Sequence, residues 1–327
     1  MKLNVSHYDE TDKIAFICKN EKRMYKDIET FYHCYQRPLD RGVIFYSRSD
    51  HLLYFTIYCI KAARYKISPL KLVQMQDHIH HSIIEKEARQ LGSFLKDVTS
   101  TFTREYNHAW GRKGYLFERP FGRAPKYKDK SIRSNLTYLD NNPVERHLVD
   151  YAEQYRWNYL AYANSNHPFS EKIVLRYASM PLRRALKAVE DRHKRGKYLT
   201  CKIIQNLFRS LPSNKECEQL TDFIISTYSI IDHAASVSYF KSYKDELTAA
   251  HATTGSEHDL KETFNGKSDR YYNAMTKILL DAKEVKDIHE VYTMSIEQKR
   301  RCFDLLKRKT VAPWRQITSF LHYPVEE

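Results

Sequence analysis

Apolar positions between residues 40 and 160 change period several times, and each change marks an element. Gly42-Val43-Ile44-Phe45-Tyr46-Ser47-Arg48 is dense in β-branched and aromatic residues and predicts a strand. Leu52, Phe55, Ile60 and Ala63 then recur at helical spacing, so Leu52 to Tyr65 predicts a helix, broken at Ser68-Pro69. Leu70 to Met75 and His78 to Ile84 read as two further strands, with Gln76-Asp77 at or near their junction. A long helical pattern from about Ala88 to Trp110 carries Leu91, Leu95, Val98, Phe102 and Tyr106 on one side, and Gly111 and Gly114 end it. Tyr115-Leu116-Phe117 is a short strand candidate, and Ser131 to Asn141 a helix. At Asn142-Pro143-Val144-Glu145 a new helix is expected, with Asn as cap, Pro in the first turn and Glu reaching back. A helix is also expected around Glu21 to Tyr35.

The order strand, helix, strand, strand, helix, strand describes an α+β unit: one antiparallel sheet with helices packed on a face. Beyond Asn164 to Pro168 the pattern is almost wholly helical. The expected organisation is an N-terminal extension over 1–40, an α+β domain over 41–164 and a helical accessory domain over 165–327. In that last part, Arg183-Arg184 to Arg195 suggests a basic helix and Leu220 to Ile231 a buried amphipathic one. Ser295 to Lys309 followed by Ala312 to Leu321 resembles the first two helices of a helix-turn-helix, or a plain helical hairpin.

Composition narrows the function. A chain of 327 residues, 42% hydrophobic and 29% charged, is a folded protein of two or three domains, and 8 Gly with 10 Pro leave little room for long linkers. The start, Met1 to Glu10, lacks the apolar core of a signal peptide, and no apolar run is long enough for a bilayer, so a cytoplasmic protein without a membrane partner is expected. The cysteines at 18, 34, 59, 201, 217 and 302 form no Cys-x-x-Cys pair; free thiols are expected. The net charge of +14 is clumped: Arg112 to Arg133 holds eight Lys/Arg against two acids, and Arg176 to Arg209 ten against two. With 25 Tyr and 15 Phe for base stacking, the excess points to a nucleic acid.

Two short segments carry candidate chemistry. In His78-Ile79-His80, strand alternation sends both imidazoles to one face, where they can chelate a divalent metal; His81 goes with Ile79 and is read as structural. Such pairs are more often hydrogen-bonding surface residues. In Tyr138-Leu139-Asp140-Asn141-Asn142, residues four apart share a helix face, so Tyr138 and Asn142 can approach one point. A tyrosine hydroxyl is a poor nucleophile at its usual pKa of about 10, but beside a metal that withdraws charge from a phosphodiester it can attack phosphorus. Against this, Tyr is abundant and Asn142 is accounted for by helix capping.

Together, Met75-Gln76-Asp77-His78-Ile79-His80, a long helix, a basic stretch and Tyr138-Leu139-Asp140-Asn141-Asn142-Pro143-Val144 resemble the HUH superfamily, and within it the single-tyrosine transposases of insertion-sequence and REP-associated type. The resemblance covers about residues 40 to 160 and includes the closing aromatic segment Tyr155-Arg156-Trp157-Asn158-Tyr159. It implies a ferredoxin-like catalytic domain in which His78 and His80 bind Mg²⁺ or Mn²⁺, with Asn142 in the position of the third ligand, Gln in many relatives. It implies Tyr138 as the nucleophile that cuts single-stranded or hairpin DNA, leaving a 5′-phosphotyrosine and a 3′-hydroxyl. Relatives often carry Pro-Asn before the histidine pair and an aliphatic residue after it, where this chain has Gln76-Asp77 and His81. Arg119, Arg123, Lys126, Lys128 and Lys130 are the candidate phosphate contacts. Alternatives are a non-catalytic nucleic-acid-binding derivative of such a transposase, and a replication or mobilisation initiator. The sequence leaves open whether the protein is a homodimer.

Overall fold

In a computed structural model, residues 30–85, 90–118, 121–252 and 268–323 are described. Strands β1 (Thr30–Gln36), β2 (Ser68–Gln74), β3 (Ile79–Glu85) and β4 (Gly122–Lys126) form one sheet in the order β2-β3-β1-β4, with every neighbouring pair antiparallel. Helix α1 (Arg48–Arg64) joins β1 to β2, and α2 (Gln90–Trp110) lies between β3 and β4. The element order is the expected one and the fold is α+β. The two edge strands carry Pro69 and Pro125, which fits: an edge strand can spare a ladder N–H that a central strand cannot.

Two strands are not where the apolar pattern put them. The first strand is Thr30–Gln36, which overlaps the end of the segment expected to be helical; the rest of that segment, 21–29, lies outside the described residues. Residues 42–48 form no strand. Val43 to Tyr46 are buried because this stretch threads between two cores: Ile44 and Phe45 join the core under the sheet, and Val43 and Tyr46 join the C-terminal helices. The Ile44 and Phe45 amides both donate to the Gln76 carbonyl, at 2.9 and 3.2 Å. Burial on both sides selects the residue types that normally signal a strand. Likewise Tyr115 to Phe117 makes only an isolated bridge, Phe117 to Pro38, and the fourth strand comes later, at Gly122–Lys126.

Alternation along the strands gives each face its own cover. Cys34, Leu72, Ile79 and Ile83 pack under α1 and α2 with Leu91, Leu95, Val98, Phe102 and Tyr106. The opposite face is covered by α3 (Asp129–Glu145), whose Ile132 and Leu136 meet Phe31 and Leu70. Helices therefore lie on both faces rather than one. Helix α3 is continuous where two helices were expected: Pro143 sits in its last turn, where the missing N–H removes only one late bond, and Asn142 does not cap. Its carboxamide is thereby left to the sheet.

Beyond residue 164 the regular structure of the described residues is helical, as expected. Helices α4 (Met180–Lys194), α5 (Cys201–Arg209) and α6 (Asn214–Tyr228) share one continuous core with α1, so residues on both sides of 164–168 pack together. Asp222 of α6 fixes that junction by accepting from Tyr162 Oη (2.7 Å), Phe169 N (3.0 Å) and Ser170 Oγ (2.9 Å). Helices α7 (His233–Ser238) and α8 (Tyr243–Ala252) lie beside β2 and α3. Helices α9 (Arg270–Asp281), α10 (Ile296–Lys309) and α11 (Trp314–Leu321) enclose a second core with Val43 and Tyr46. The described cysteines, 34, 59, 201, 217 and 302, are free thiols. Among the described residues no helix is long and apolar enough to cross a membrane.

Candidate active site

The β2-β3 hairpin turns on Gln76-Asp77, with the Met75 amide bonded to the His78 carbonyl at 2.9 Å. His78 therefore stands just before β3, and His80 is its second residue. His80 lies opposite Tyr35 on β1 and Val73 on β2, on the face that α3 covers. The His78 and His80 rings are 4.8 Å apart and nearly perpendicular at 88°. Both are buried. His81 goes to the other face, stacked on Tyr58 at 5.3 Å, and burial pushes its pKa down to about 3, so it is a neutral core residue as expected.

Helix α3 brings the second half. Tyr138 and Asn142 lie one turn apart, and the Asn142 amide nitrogen is 3.4 Å from both Tyr138 Oη and His80 Nε2. The His80 and Tyr138 rings are 6.0 Å apart. The four side chains expected to act together thus converge. Asn142 Oδ1 is buried and has no hydrogen-bond partner, a costly state for an amide oxygen unless something else takes it. The donor set suits a divalent cation. His78 Nδ1 contacts the Asp77 carboxylate at 2.5 Å and His80 Nδ1 contacts His33 at 3.0 Å, so each ring is held by one nitrogen and turned to use the other. That is the usual support of a metal-binding histidine. Among the described residues no three His, Cys, Asp or Glu side chains form a metal-holding group, so a site here depends on the Asn142 oxygen.

Two supports were not foreseen. His33, in the strand misread as helix, is fully buried and reaches both His80 and Asn135 of α3 (His33 Nδ1 to Asn135 Nδ2, 2.9 Å). Lys71, inside the apolar run of β2, is buried between Asp140 of α3 (2.8 Å) and Glu246 of α8 (2.9 Å). Burial opposes its charge, but the two carboxylates hold its pKa above the ordinary lysine value. Asp140 is raised above the usual carboxylate range by burial, against the pull of Lys71. This clamp fixes the helix carrying Tyr138 against the sheet, two residues from the hydroxyl. The one sequence signal for it was a lysine in an otherwise apolar strand.

The aromatic segment after α3 closes the hairpin end. Tyr155 Oη donates to the Gln74 carbonyl at 2.8 Å, and Trp157 stacks on His51 at 4.2 Å and 6°. Burial lowers His51 to about 4 and keeps it neutral beside Gln74 Oε1.

The candidate phosphate contacts divide. Arg123, Lys128 and Lys130 are exposed. Arg123 pairs with Cys34, so it leaves the sheet on the side away from His80, where its guanidinium lies over Tyr32 at 5.5 Å. Lys126 emerges on the site's side but is buried, which argues against a phosphate contact there. Lys128, the N-cap of α3, and Lys130 in its first turn stand two to three turns before Tyr138, roughly 12–15 Å along the axis. Arg119 lies outside the described residues.

Compared with known proteins, the chain matches no family model, no curated sequence and no solved structure.

Proposed function

We propose that this chain is a metal-dependent DNA strand transferase of the HUH single-tyrosine transposase type, cutting single-stranded or hairpin DNA through a phosphotyrosine. The observation that carries this reading is the convergence of Tyr138, Asn142, His80 and His78 from a helix and a hairpin 60 residues apart in sequence, with the Asn142 oxygen unpartnered. The strand order β2-β3-β1-β4, with helices after β1 and β3, supports a ferredoxin-like catalytic sheet.

His78, His80 and Asn142 would hold Mg²⁺ or Mn²⁺, and two imidazoles favour Mn²⁺. When bound, that ion would withdraw charge from the scissile phosphate. Tyr138 Oη, positioned by Asn142 and by the Lys71 clamp on its helix, loses its proton and attacks phosphorus. The bond to the 3′-oxygen breaks, that oxygen takes up a proton, and the 5′-phosphate stays on Tyr138. Attack of a 3′-hydroxyl on the phosphotyrosine reverses the step on another end, rejoining strands with no external energy. Lys128 and Lys130 bind phosphates of the strand before it reaches the tyrosine. Cytoplasmic DNA is the expected partner.

Tyr138 is only 5% exposed, and this favours a second reading, a non-catalytic DNA-binding derivative of the same fold. Wild-type protein incubated with Mn²⁺ and single-stranded DNA separates the two. The transferase forms an adduct that survives denaturation and is prevented by chelator; the derivative binds without one.

A further inference from the structure

The chain leaving α3 borders a pocket of about 590 Å³ that the proposed chemistry does not use, a size ordinary for a small-ligand site. Leu148 and Val149 line it, and both also pack against the buried cluster of Tyr138, Val73, Met75, Leu139 and Tyr155. One layer of side chains therefore separates the pocket from the cluster that seats the tyrosine.

The rim is polar, and most of it is held in place. Gln154 Oε1 accepts from the Asp150 and Tyr151 amides, each at 3.2 Å, so its NH₂ is fixed and left to donate. Tyr151 is 50% exposed, and its ring is backed by His251 at 4.9 Å. The Asp269 amide donates to the Arg146 carbonyl at 2.9 Å, which sets the start of α9 against the end of α3 and brings Arg270 to the rim. Arg270 is exposed, with its guanidinium over Tyr271 at 5.3 Å. His147, just past α3, has φ +56°, held by its amide on the Val144 carbonyl (2.9 Å) and the Leu148 amide on that of Pro143 (3.0 Å). Glycine usually takes that left-handed position; here an imidazole stands on the rim instead.

An apolar floor, an exposed aromatic ring, a fixed amide donor and a cation together match one nucleotide of a single strand. The base packs on Leu148 and against Tyr151, a contact open to any base. The Gln154 NH₂ donates to an acceptor on the base edge, which adds choice, while Arg270 takes a phosphate. Asp150, exposed at the same rim, keeps phosphates off its side and accepts from a base amino group. We propose that this pocket holds an unpaired nucleotide flanking the scissile phosphate, and that Gln154 reads its base. The proposal rests on the strand-transferase reading for the identity of the strand. It supplies sequence choice that phosphate contacts at Lys128 and Lys130 cannot give.

The test uses the full-length protein with chelator present, so that strand binding is read without cleavage. A labelled single-stranded DNA is scanned with one abasic site per position. Wild type should lose about 10-fold in affinity at one position, the scale of a stacking contact, and Tyr151→Ala should lose little there. Wild type should also prefer one base at that position by about 5-fold or more. Gln154→Glu keeps the oxygen that accepts from both amides and removes the NH₂, so it should abolish that preference. Arg270→Ala should flatten the slope of log affinity against log salt by about 0.7, one phosphate contact. His147→Gly suits its turn better, so it should weaken strand binding without lowering the urea midpoint. A flat abasic scan in wild type would overturn the proposal, as would an unchanged base preference in Gln154→Glu. If the scan behaves as expected but wild type forms no adduct with Mn²⁺, the transferase reading falls and the pocket stands. If the adduct forms on a strand whose scan is flat, the pocket falls and the transferase reading stands. If wild type binds no single strand, both fall.

Discussion

His289 gives the strongest handle on how the helical half is held to the sheet. It is buried between Asp50 (Nε2 to Oδ2, 2.8 Å) and Asp287 (Nδ1 to Oδ1, 2.6 Å), and its ring lies flat on Trp110 at 3.6 Å. Asp50 also accepts from the Tyr46 and Ser47 amides that open α1, at 3.0 and 2.9 Å. Burial opposes a charge on His289, but the two carboxylates outweigh it and raise the pKa to about 9. An unfolded histidine titrates near 6.5, and the difference is worth about 3 kcal/mol at about 1.4 kcal/mol per tenfold. Because the folded value is raised, this stability is fully present below about pH 6.5 and is lost as pH rises through about 9. Urea unfolding of wild type and His289→Gln across that range measures it. The gap between the two proteins should be about 3 kcal/mol wider near pH 6 than near pH 10. A gap that stays constant with pH would refute a charged His289.

Three further changes probe the site's frame. Lys71→Met strands two buried carboxylates and should cost roughly 3–5 kcal/mol in urea unfolding, recovered in large part by adding Glu246→Gln and Asp140→Asn. A Cβ on Gly122 would stand 2.2 Å from Tyr35 Cζ, so Gly122→Ala should destabilise by about 1–3 kcal/mol, and Tyr35→Ala in the same chain should relieve it. Replacing Lys128 and Lys130 by Ala should flatten the salt dependence of single-strand binding by about 0.7 per lost phosphate contact, measured as log affinity against log salt.

How much of this was legible in the chain depends on how local each signal is. The Tyr138–Asn142 pair was readable because a helix brings residues four apart together whatever it packs on. The His78–His80 pair was equally local, since strand alternation alone puts both on one face. His33 was not readable: its role depends on β1 pairing with β3, a contact across 47 residues, and its strand sits in a polar stretch with helical spacing. The same limit hid the Lys71 clamp, whose partners lie in α3 and α8. Val43 to Tyr46 misled because two-sided burial, not a ladder, chose their side chains. Asn142-Pro143 resembles a helix start by composition, yet in α3 the proline falls in a last turn that can lose one bond. The basic stretch announced its charge, while only the strand register revealed that Arg123 and Lys126 leave opposite faces.

Tyr138 is the proposed nucleophile, and mapping the site of covalent attachment tests that role. Wild type and Tyr138→Phe are incubated with Mn²⁺ and labelled single-stranded DNA, denatured, digested and mapped by mass spectrometry. Phe keeps the ring in the buried cluster it forms with Val73, Met75, Leu139 and Tyr155 and removes only the hydroxyl, so folding and strand affinity should be little changed. The expected result is a 5′-phosphotyrosine on the Tyr138 peptide of wild type, abolished by chelator, and no adduct or cleavage in Tyr138→Phe. Cleavage by Tyr138→Phe at the wild-type rate, or an adduct mapped to another residue, would contradict it.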